Sequence, residues 1–240
     1  EIVRKSDAEA EPNSFIQAVQ MRHPIIERIN QTVKYVPHSV CLGKSINDIN
    51  DQNNNNSNSN SNSNSNNSSN NREKEINNMN KTEVVNQTGQ DRQDGMIVYG
   101  MNACGKSSLM KAVGVNLILA QAGFYVAATN FKFYPYEQIL TRIIGDDNIF
   151  KGQSSFEVEM IELRGILSRA RNQRCLVLAD EVSRGTESLS GVSIVAASVI
   201  TLAKLGVSFI FTSHLHQVST MPRIKNLSNV KCYHLKVLYD

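Results

Sequence analysis

The sequence has few cysteines and little net charge, and both features narrow the classes of protein that it can represent. The four cysteines are Cys41, Cys104, Cys175 and Cys232, and none of them forms a CxxC pair. This spacing favours reduced thiols inside a cell over a disulfide framework or a zinc site. The formal net charge is only +3, and no basic stripe indicates binding to duplex DNA through its phosphates. Apolar runs end well short of the ~18 residues of a membrane span, and the N-terminus lacks a secretion signal. We therefore expect an intracellular protein with no membrane partner.

The chain of 240 residues, 40% of them hydrophobic, is long enough for one sizeable α/β core. One segment interrupts it, because every residue from Asn53 to Asn71 is Asn or Ser and the flanks stay polar. Such a tract has no apolar side chains whose burial would offset the entropy of ordering. We predict a disordered insertion over about residues 43–93 of a single 1–240 domain. Filler without a role is favoured over a tract that binds a partner.

The most informative motif, GMNACGKS, occupies residues 100–107 and follows the apolar stretch MIVY. The pattern of a phosphate-binding loop has two glycines separated by four residues and followed by Lys and Ser, and this motif fits it. The alternative is an ordinary glycine-containing turn. Backbone N–H groups of such a loop cradle phosphates, Lys106 reaches the β- and γ-phosphates, and the Ser107 hydroxyl binds Mg²⁺. A helix from Lys106 to Ala122 presents its positive end to the anion. The predicted nucleotide-binding residues of this loop are Gly100, Met101, Asn102, Ala103, Cys104, Gly105, Lys106, Ser107 and Ser108.

Two later apolar runs end in polar residues that fit the same site. The run at residues 174–181 reads as a buried parallel strand that ends in Asp180 and Glu181. Asp180 is predicted to bind Mg²⁺ together with Ser107, and Glu181 to polarise the attacking water. The alternative is a solvated acidic strand end. The run at residues 207–214 ends in His214, for which sensing of the γ-phosphate and a structural role are equally open.

The remaining periodicities predict a mostly parallel sheet flanked by helices. Phe156, Met160, Leu163 and Leu167 recur at helical spacing, and a second helix is expected over about residues 189–205. Strands and helices therefore alternate, as in doubly wound α/β proteins. Residues 232–239 alternate weakly and suggest an edge strand.

Five segments together resemble the ATPase domain of the MutS mismatch-repair family. They are RHP at 22–24, the phosphate loop, GQSSFEVEM at 152–160, DEVSRGT at 180–186 and TSH at 212–214. The resemblance implies a P-loop NTPase of the ABC-type ATPase architecture that binds ATP and Mg²⁺ and hydrolyses ATP. It also implies that Tyr35 stacks on adenine, that Ser154 reaches the nucleotide of a second subunit, and that residues 184–188 cross the dimer interface. An ordinary half-buried aromatic is the equally weighted alternative for Tyr35.

The resemblance further implies a homo- or heterodimer formed through the ATPase domain, with mismatched duplex DNA bound by other domains of a longer parent protein. The chain departs from the family pattern at Met101 and Cys104, in the signature segment at Gln153, Ser155 and Glu157, and at Ser183. Two other interpretations follow from the motifs. One is another ABC-type ATPase of DNA maintenance or transport, and the other is an interaction module that binds nucleotide without turnover.

Overall fold

The structure is a computed structural model that describes residues 13–29, 34–45, 92–143, 155–171, 174–182, 188–214 and 216–237. The strands in these ranges are β1 Phe15–Met21, β2 His38–Leu42, β3 Lys44–Ser45, β4 Arg92–Gln93, β5 Gly95–Gly100, β6 Asn130–Tyr134, β7 Gln138–Arg142, β8 Cys175–Asp180, β9 Ser208–Ser213 and β10 Val230–Leu235. The helices are α1 Ile26–Ile29, α2 Lys106–Gln121, α3 Ser155–Arg169, α4 Ser188–Leu205, α5 His216–Thr220 and α6 Pro222–Lys225.

The central element is a five-stranded sheet in the order β10-β5-β9-β8-β7, in which every neighbouring pair is parallel. All six residues of β8 and all six of β9 are buried, as expected where helices cover both faces of a parallel sheet. The carboxyl ends of all five strands meet at one edge. The predicted fold class is therefore confirmed.

Alternate residues of each central strand enter two separate cores. On one face Met96, Val98 and Leu178 pack with helix α2. On the other face Ile97 and Val177 pack with α3 and α4. Helix α2 lies very close to the sheet, because a Cβ atom at Gly114 would come within 2.9 Å of a Leu178 methyl carbon. This close packing fixes the start of α2 beside the strand ends.

A second sheet, antiparallel and ordered β2-β1-β6, contributes to the same core as α2. Its buried residues include Ile16, Leu42 and Phe133. This sheet was not predicted from the sequence. Its importance for the site is that it carries the segment from Lys34 to His38 toward the phosphate loop.

The predicted helices are confirmed: α2 ends one residue earlier and α4 begins one residue earlier than expected, and α3 contains the four apolar residues predicted at helical spacing. The edge strand is confirmed as β10 at Val230–Leu235, which begins two residues earlier than predicted. No described helix is long and apolar enough to cross a membrane.

The predicted limits of the insertion at 43 and 93 are too wide. Strands β3 and β4 pair antiparallel, with Lys44 opposite Gln93 and Ser45 opposite Arg92. Gln93 is buried, and its carbonyl oxygen accepts a hydrogen bond from the N–H of Gly43. These residues therefore belong to the folded domain. Residues 46–91 lie outside the described residues, and an insertion there stays a prediction.

Candidate nucleotide site

The phosphate loop connects β5 to α2 with backbone angles that favour glycine. Gly105, at the N-cap of α2, has a φ of 98°, and Gly100 has a φ of 155°. A Cβ atom at Gly100 would lie 2.6 Å from the carbonyl oxygen of Leu235, so a larger residue does not fit there. No side chain of the described residues caps α2. The N–H groups of its first turn have no partner within the helix, which makes this end of α2 suited to an anion.

Lys106 begins α2 and is held across the loop by two of the loop's own carbonyl oxygens. Its Nζ donates to the carbonyl oxygen of Gly100 at 2.9 Å and to that of Met101 at 2.8 Å. The residue is only 4% exposed. Because an ammonium group carries three N–H donors, one more remains for an oxygen of a ligand.

Ser107, Asp180 and Thr212 form a hydrogen-bonded cluster at the carboxyl edge of the sheet. The Ser107 hydroxyl donates to Oδ1 of Asp180 at 2.9 Å, and the Thr212 hydroxyl donates to the same oxygen. Asp180 is 5% exposed and ends strand β8. The cluster gathers a hydroxyl and a carboxylate, the oxygen ligands that Mg²⁺ takes in proteins.

Glu181 follows β8 in a conformation that is uncommon for a residue with a side chain. Its φ is 43°, in the left-handed region. Its N–H donates to the carbonyl oxygen of Thr212 at 3.1 Å and to the Thr212 hydroxyl oxygen at 3.2 Å. Strain of this kind, about 1–3 kcal/mol, occurs mainly at functional sites. Thr212 thus holds the Glu181 backbone while its hydroxyl contacts Asp180.

The role of Thr212 was not predicted from the sequence. The available signal was positional, since two buried strands each end in polar residues. The role itself depends on the β8–β9 register, which places Asp180 directly beside Thr212.

A cavity of about 220 Å³ adjoins the phosphate loop and contains the predicted base-stacking residue Tyr35. Its other walls include Ala103, Cys104, Gly105 and Ser108, all assigned to nucleotide binding from the sequence. Burial raises the pKa of the Tyr35 phenol, and the backbone of His23 partly offsets this effect. Burial also lowers the pKa of His38, which lines the same cavity. Both side chains are therefore neutral at physiological pH.

The RHP segment holds the cavity wall against α2. Nδ1 of His23 accepts hydrogen bonds from the N–H groups of Ile25 at 3.3 Å and Ile26 at 3.2 Å. Ile26 lines the cavity. The amide of Asn116, which is fully buried in α2, donates to the carbonyl oxygen of Arg22 at 2.9 Å. This segment was recognised in the sequence only as a family motif, and its structural role was not predicted.

Other predicted residues lie at the edge of the site or outside the described residues. Met101 is 66% exposed, and Asn102 is also exposed. His214 is exposed one position after β9, at the same edge of the sheet, and its role as a phosphate sensor stays a prediction. Ser154 and the loop at residues 183–187 lie outside the described residues.

Residues 96–240 match the sequence pattern of one protein family, MutS domain V. The chain belongs to the MutS family. It is 39% identical to a putative DNA mismatch repair protein, a MutS homologue of Acanthamoeba polyphaga mimivirus, over 95% of this chain and 19% of that protein. It is 36% identical to a mitochondrial DNA mismatch repair protein, a MutS homologue of Sarcophyton glaucum, over 93% of this chain and 17% of that protein.

This MutS-family chain is also 38% identical to the DNA mismatch repair protein MutS of Methanosarcina mazei. The alignment covers 64% of this chain and 17% of that relative. The chain thus spans less than a fifth of the length of each of these three relatives. Membership of the MutS family, which the motifs predicted, is confirmed.

Proposed function

We propose that this chain is the module of a DNA mismatch repair protein that binds and hydrolyses ATP. The observation that carries the proposal is the contact of Ser107, Asp180 and Thr212 beside the phosphate loop and Lys106. It joins a phosphate-binding element to a carboxylate at the carboxyl edge of a parallel sheet, which is where α/β proteins bind nucleotides. Membership of the MutS family supports mismatch repair as the process that the module serves.

The donor set fits Mg²⁺, because the Ser107 hydroxyl and the Asp180 carboxylate lie 2.9 Å apart and both supply oxygen. When bound, Mg²⁺ neutralises charge on the β- and γ-phosphate oxygens. The residues of this chain then have distinct tasks. Lys106 and the N–H groups of the loop bind the phosphates, and Tyr35 stacks on the adenine.

Glu181 acts as the residue that orients water. Its carboxylate accepts a hydrogen bond from a water whose oxygen forms the new bond to the γ-phosphorus, while the bond to the β,γ-bridging oxygen breaks and ADP leaves. The proton released by the water passes to Glu181 and from there to solvent or phosphate. Thr212 supports this role because it fixes the backbone of Glu181. We assign His214 to contact with the γ-phosphate from the same edge of the sheet.

The proposal includes a dimer, homo- or heteromeric, in which Ser154 of one subunit completes the site of the other. A two-fold arrangement produces two such composite sites. Mismatched duplex DNA is bound by other parts of the parent protein. The formal net charge of only +3 agrees with a module that is not itself the main DNA-binding surface.

Nucleotide titration and steady-state turnover of the 240-residue chain test the proposal. Lys106→Ala is expected to weaken ATP binding, because it removes the positive charge nearest the phosphates. Glu181→Gln is expected to bind ATP like the parent and to lose about 100-fold or more in turnover, as when a general base is removed. Glu137→Gln is the matched control, since Glu137 precedes β7 at the opposite edge of the sheet and pairs with Arg174.

The rate per chain is also expected to rise with chain concentration, because the composite site needs two subunits. Turnover that persists at the parent rate in Glu181→Gln would refute the assigned role of Glu181. Absence of turnover at every concentration, with ATP binding retained, would leave a nucleotide-binding module without hydrolysis.

A further inference from the structure

A groove runs between α3 and α4, on the face of the parallel sheet opposite α2. It encloses about 970 Å³. Its apolar lining includes one buried side chain, Leu163. The others are partly buried and pack on the core beneath, namely Met160, Leu167, Ile194 and Leu205. Among the described residues, none of those assigned above to nucleotide binding or hydrolysis lines this groove. An apolar groove of this size on a surface is typical of a site that receives another chain.

The α4 wall contains several small residues and presents no free hydroxyl group among them. Ala197, Ser198 and Thr201 are small, so a second helix can approach α4 closely. The Ser198 hydroxyl donates to the carbonyl oxygen of Ile194 at 2.9 Å, and the Thr201 hydroxyl donates to that of Ala197 at 2.8 Å. Because both hydroxyls are satisfied within α4, contact with an apolar side chain would not leave them without a partner.

The charged groups of the groove are all of one sign. Arg164 on α3 and Arg171 just after it line the groove, and in the described ranges no acidic residue does. Within the described part of the chain, neither guanidinium makes an ion pair or a side-chain hydrogen bond. Ion pairs elsewhere use other arginines, such as Arg142 with Glu162 and Arg174 with Glu137. The groove therefore combines an apolar floor with two unpaired cations on one rim.

We infer that this groove binds an amphipathic helix of a partner protein, with an apolar stripe toward the floor and acidic residues along the flank that meets Arg164 and Arg171. The two arginines lie on the same rim, Arg164 within α3 and Arg171 two residues past its end, so a helix with carboxylates along one flank can meet both guanidinium groups. A second copy of this chain is the weaker candidate, since an isologous contact would bring the positive rims together.

The test uses a phage-displayed library of helical peptides with a fixed leucine stripe and flanking positions that are either Glu or Lys. The library is selected against the full 240-residue chain, and the dissociation constant of the most enriched peptide is measured by fluorescence anisotropy. Three variants are compared with the parent. Arg164→Glu/Arg171→Glu reverses the charge of the rim, Ala197→Trp fills the groove from an exposed position, and Arg223→Glu/Lys225→Glu makes the same change of net charge at exposed sites on α6.

The expected result of the selection is enrichment of Glu on one flank of the peptide. The peptide should bind the Arg164→Glu/Arg171→Glu variant and the Ala197→Trp variant at least tenfold more weakly than the parent, and it should bind the control variant as tightly as the parent. ATP turnover of all three variants should equal that of the parent, which separates this inference from the proposed function. Equal enrichment of Glu and Lys, equal weakening by the control pair, or full binding to Ala197→Trp would each overturn the inference.

Discussion

The Ser107 hydroxyl lies 2.9 Å from Oδ1 of Asp180, although the two residues are 73 positions apart in the chain. They meet because α2 begins, and β8 ends, at the same edge of the parallel sheet. The close packing of Gly114 in α2 on Leu178 in β8 keeps the two elements together. The geometry of the candidate Mg²⁺ site therefore depends on helix-to-sheet packing some distance from it.

Asp180→Asn should weaken the Mg²⁺ dependence of nucleotide binding. The amide keeps the shape of the carboxylate but loses its charge, so we expect the Mg²⁺ concentration for half-maximal ATP binding to rise about tenfold or more, as when a metal site loses a supporting group. Asp94→Asn is the control, since Asp94 is equally buried but bonds to Arg92 and Asn229 before β5. An unchanged Mg²⁺ titration in Asp180→Asn would contradict the assignment.

Thr212→Val should lower turnover more than it lowers nucleotide affinity. Valine fills the same space but removes the hydroxyl that contacts Asp180 and accepts the N–H of Glu181. We expect a loss of about 1–3 kcal/mol in unfolding free energy, since buried groups lose a partner. The rate constant for turnover should fall while KM for ATP changes little. Thr212→Ser keeps the hydroxyl and should restore the rate; a Val variant as fast as the parent excludes a positioning role.

The sequence predicted the parts of the site that are contiguous in the chain. The residues from Gly100 to Ser107 form one motif, and the apolar run that ends in Asp180 and Glu181 identifies a buried strand with polar residues at its tip. The rule that parallel strands share a carboxyl edge then predicts their meeting with the phosphate loop. The role of Thr212 was not predictable in this way, because it depends on the register between two strands that no local pattern specifies.

The antiparallel sheet was missed for a different physical reason. The sequence of β1, FIQAVQM, does not alternate between polar and apolar residues, and successive residues are buried in the structure, including Gln17. Its strands also pair across long separations, as β1 does with β6. The position of Tyr35 in the cavity beside the loop depends on this sheet, and the sequence suggested it only through the family resemblance. The groove between α3 and α4 likewise arises from helix packing alone.

Tyr35→Leu should weaken ATP binding by about tenfold, because stacking of a base on an aromatic ring contributes about 1–3 kcal/mol. Tripolyphosphate, which has no base, should bind the variant and the parent equally. Tyr35→Phe keeps the ring and should bind ATP like the parent. Isothermal titration of both ligands measures this difference, and an equal loss for tripolyphosphate would show that Tyr35 shapes the phosphate loop instead.

Deletion of residues 53–71 should leave the melting temperature and ATP affinity nearly unchanged. The tract consists only of Asn and Ser, which bury no apolar surface. The pairing of β3 with β4 already brings the ends of the insertion together, and the entropy of closing a loop changes only slowly with its length. Differential scanning calorimetry of the deletion variant is the measurement. A decrease of several degrees would mean that the tract packs on the domain.

The stability of the domain should fall at mildly acidic pH partly through His23. Burial, and secondarily the nearby charge of Lys111, lowers the pKa of His23 below its ordinary value of 6.5. The unfolded chain therefore takes up the proton before the folded one. The stabilising contribution of the neutral ring is complete above pH 6.5 and is lost as the pH falls through the lowered pKa. Protonation of Nδ1 also removes the acceptor of the N–H groups of Ile25 and Ile26.

Thermal melts between about pH 5 and about pH 8 of the parent and His23→Asn measure this effect, because other titrating groups cancel in the difference. Asparagine keeps an oxygen acceptor near the position of Nδ1 without titrating, so the variant should lose less stability on acidification. Lys111→Ala should act in the same direction, since removal of its charge brings the folded-state pKa of His23 closer to the unfolded value. ATP affinity should follow the same order, because Ile26 belongs to the cavity wall that His23 caps. Parallel pH profiles for all three proteins would show that His23 does not control this wall.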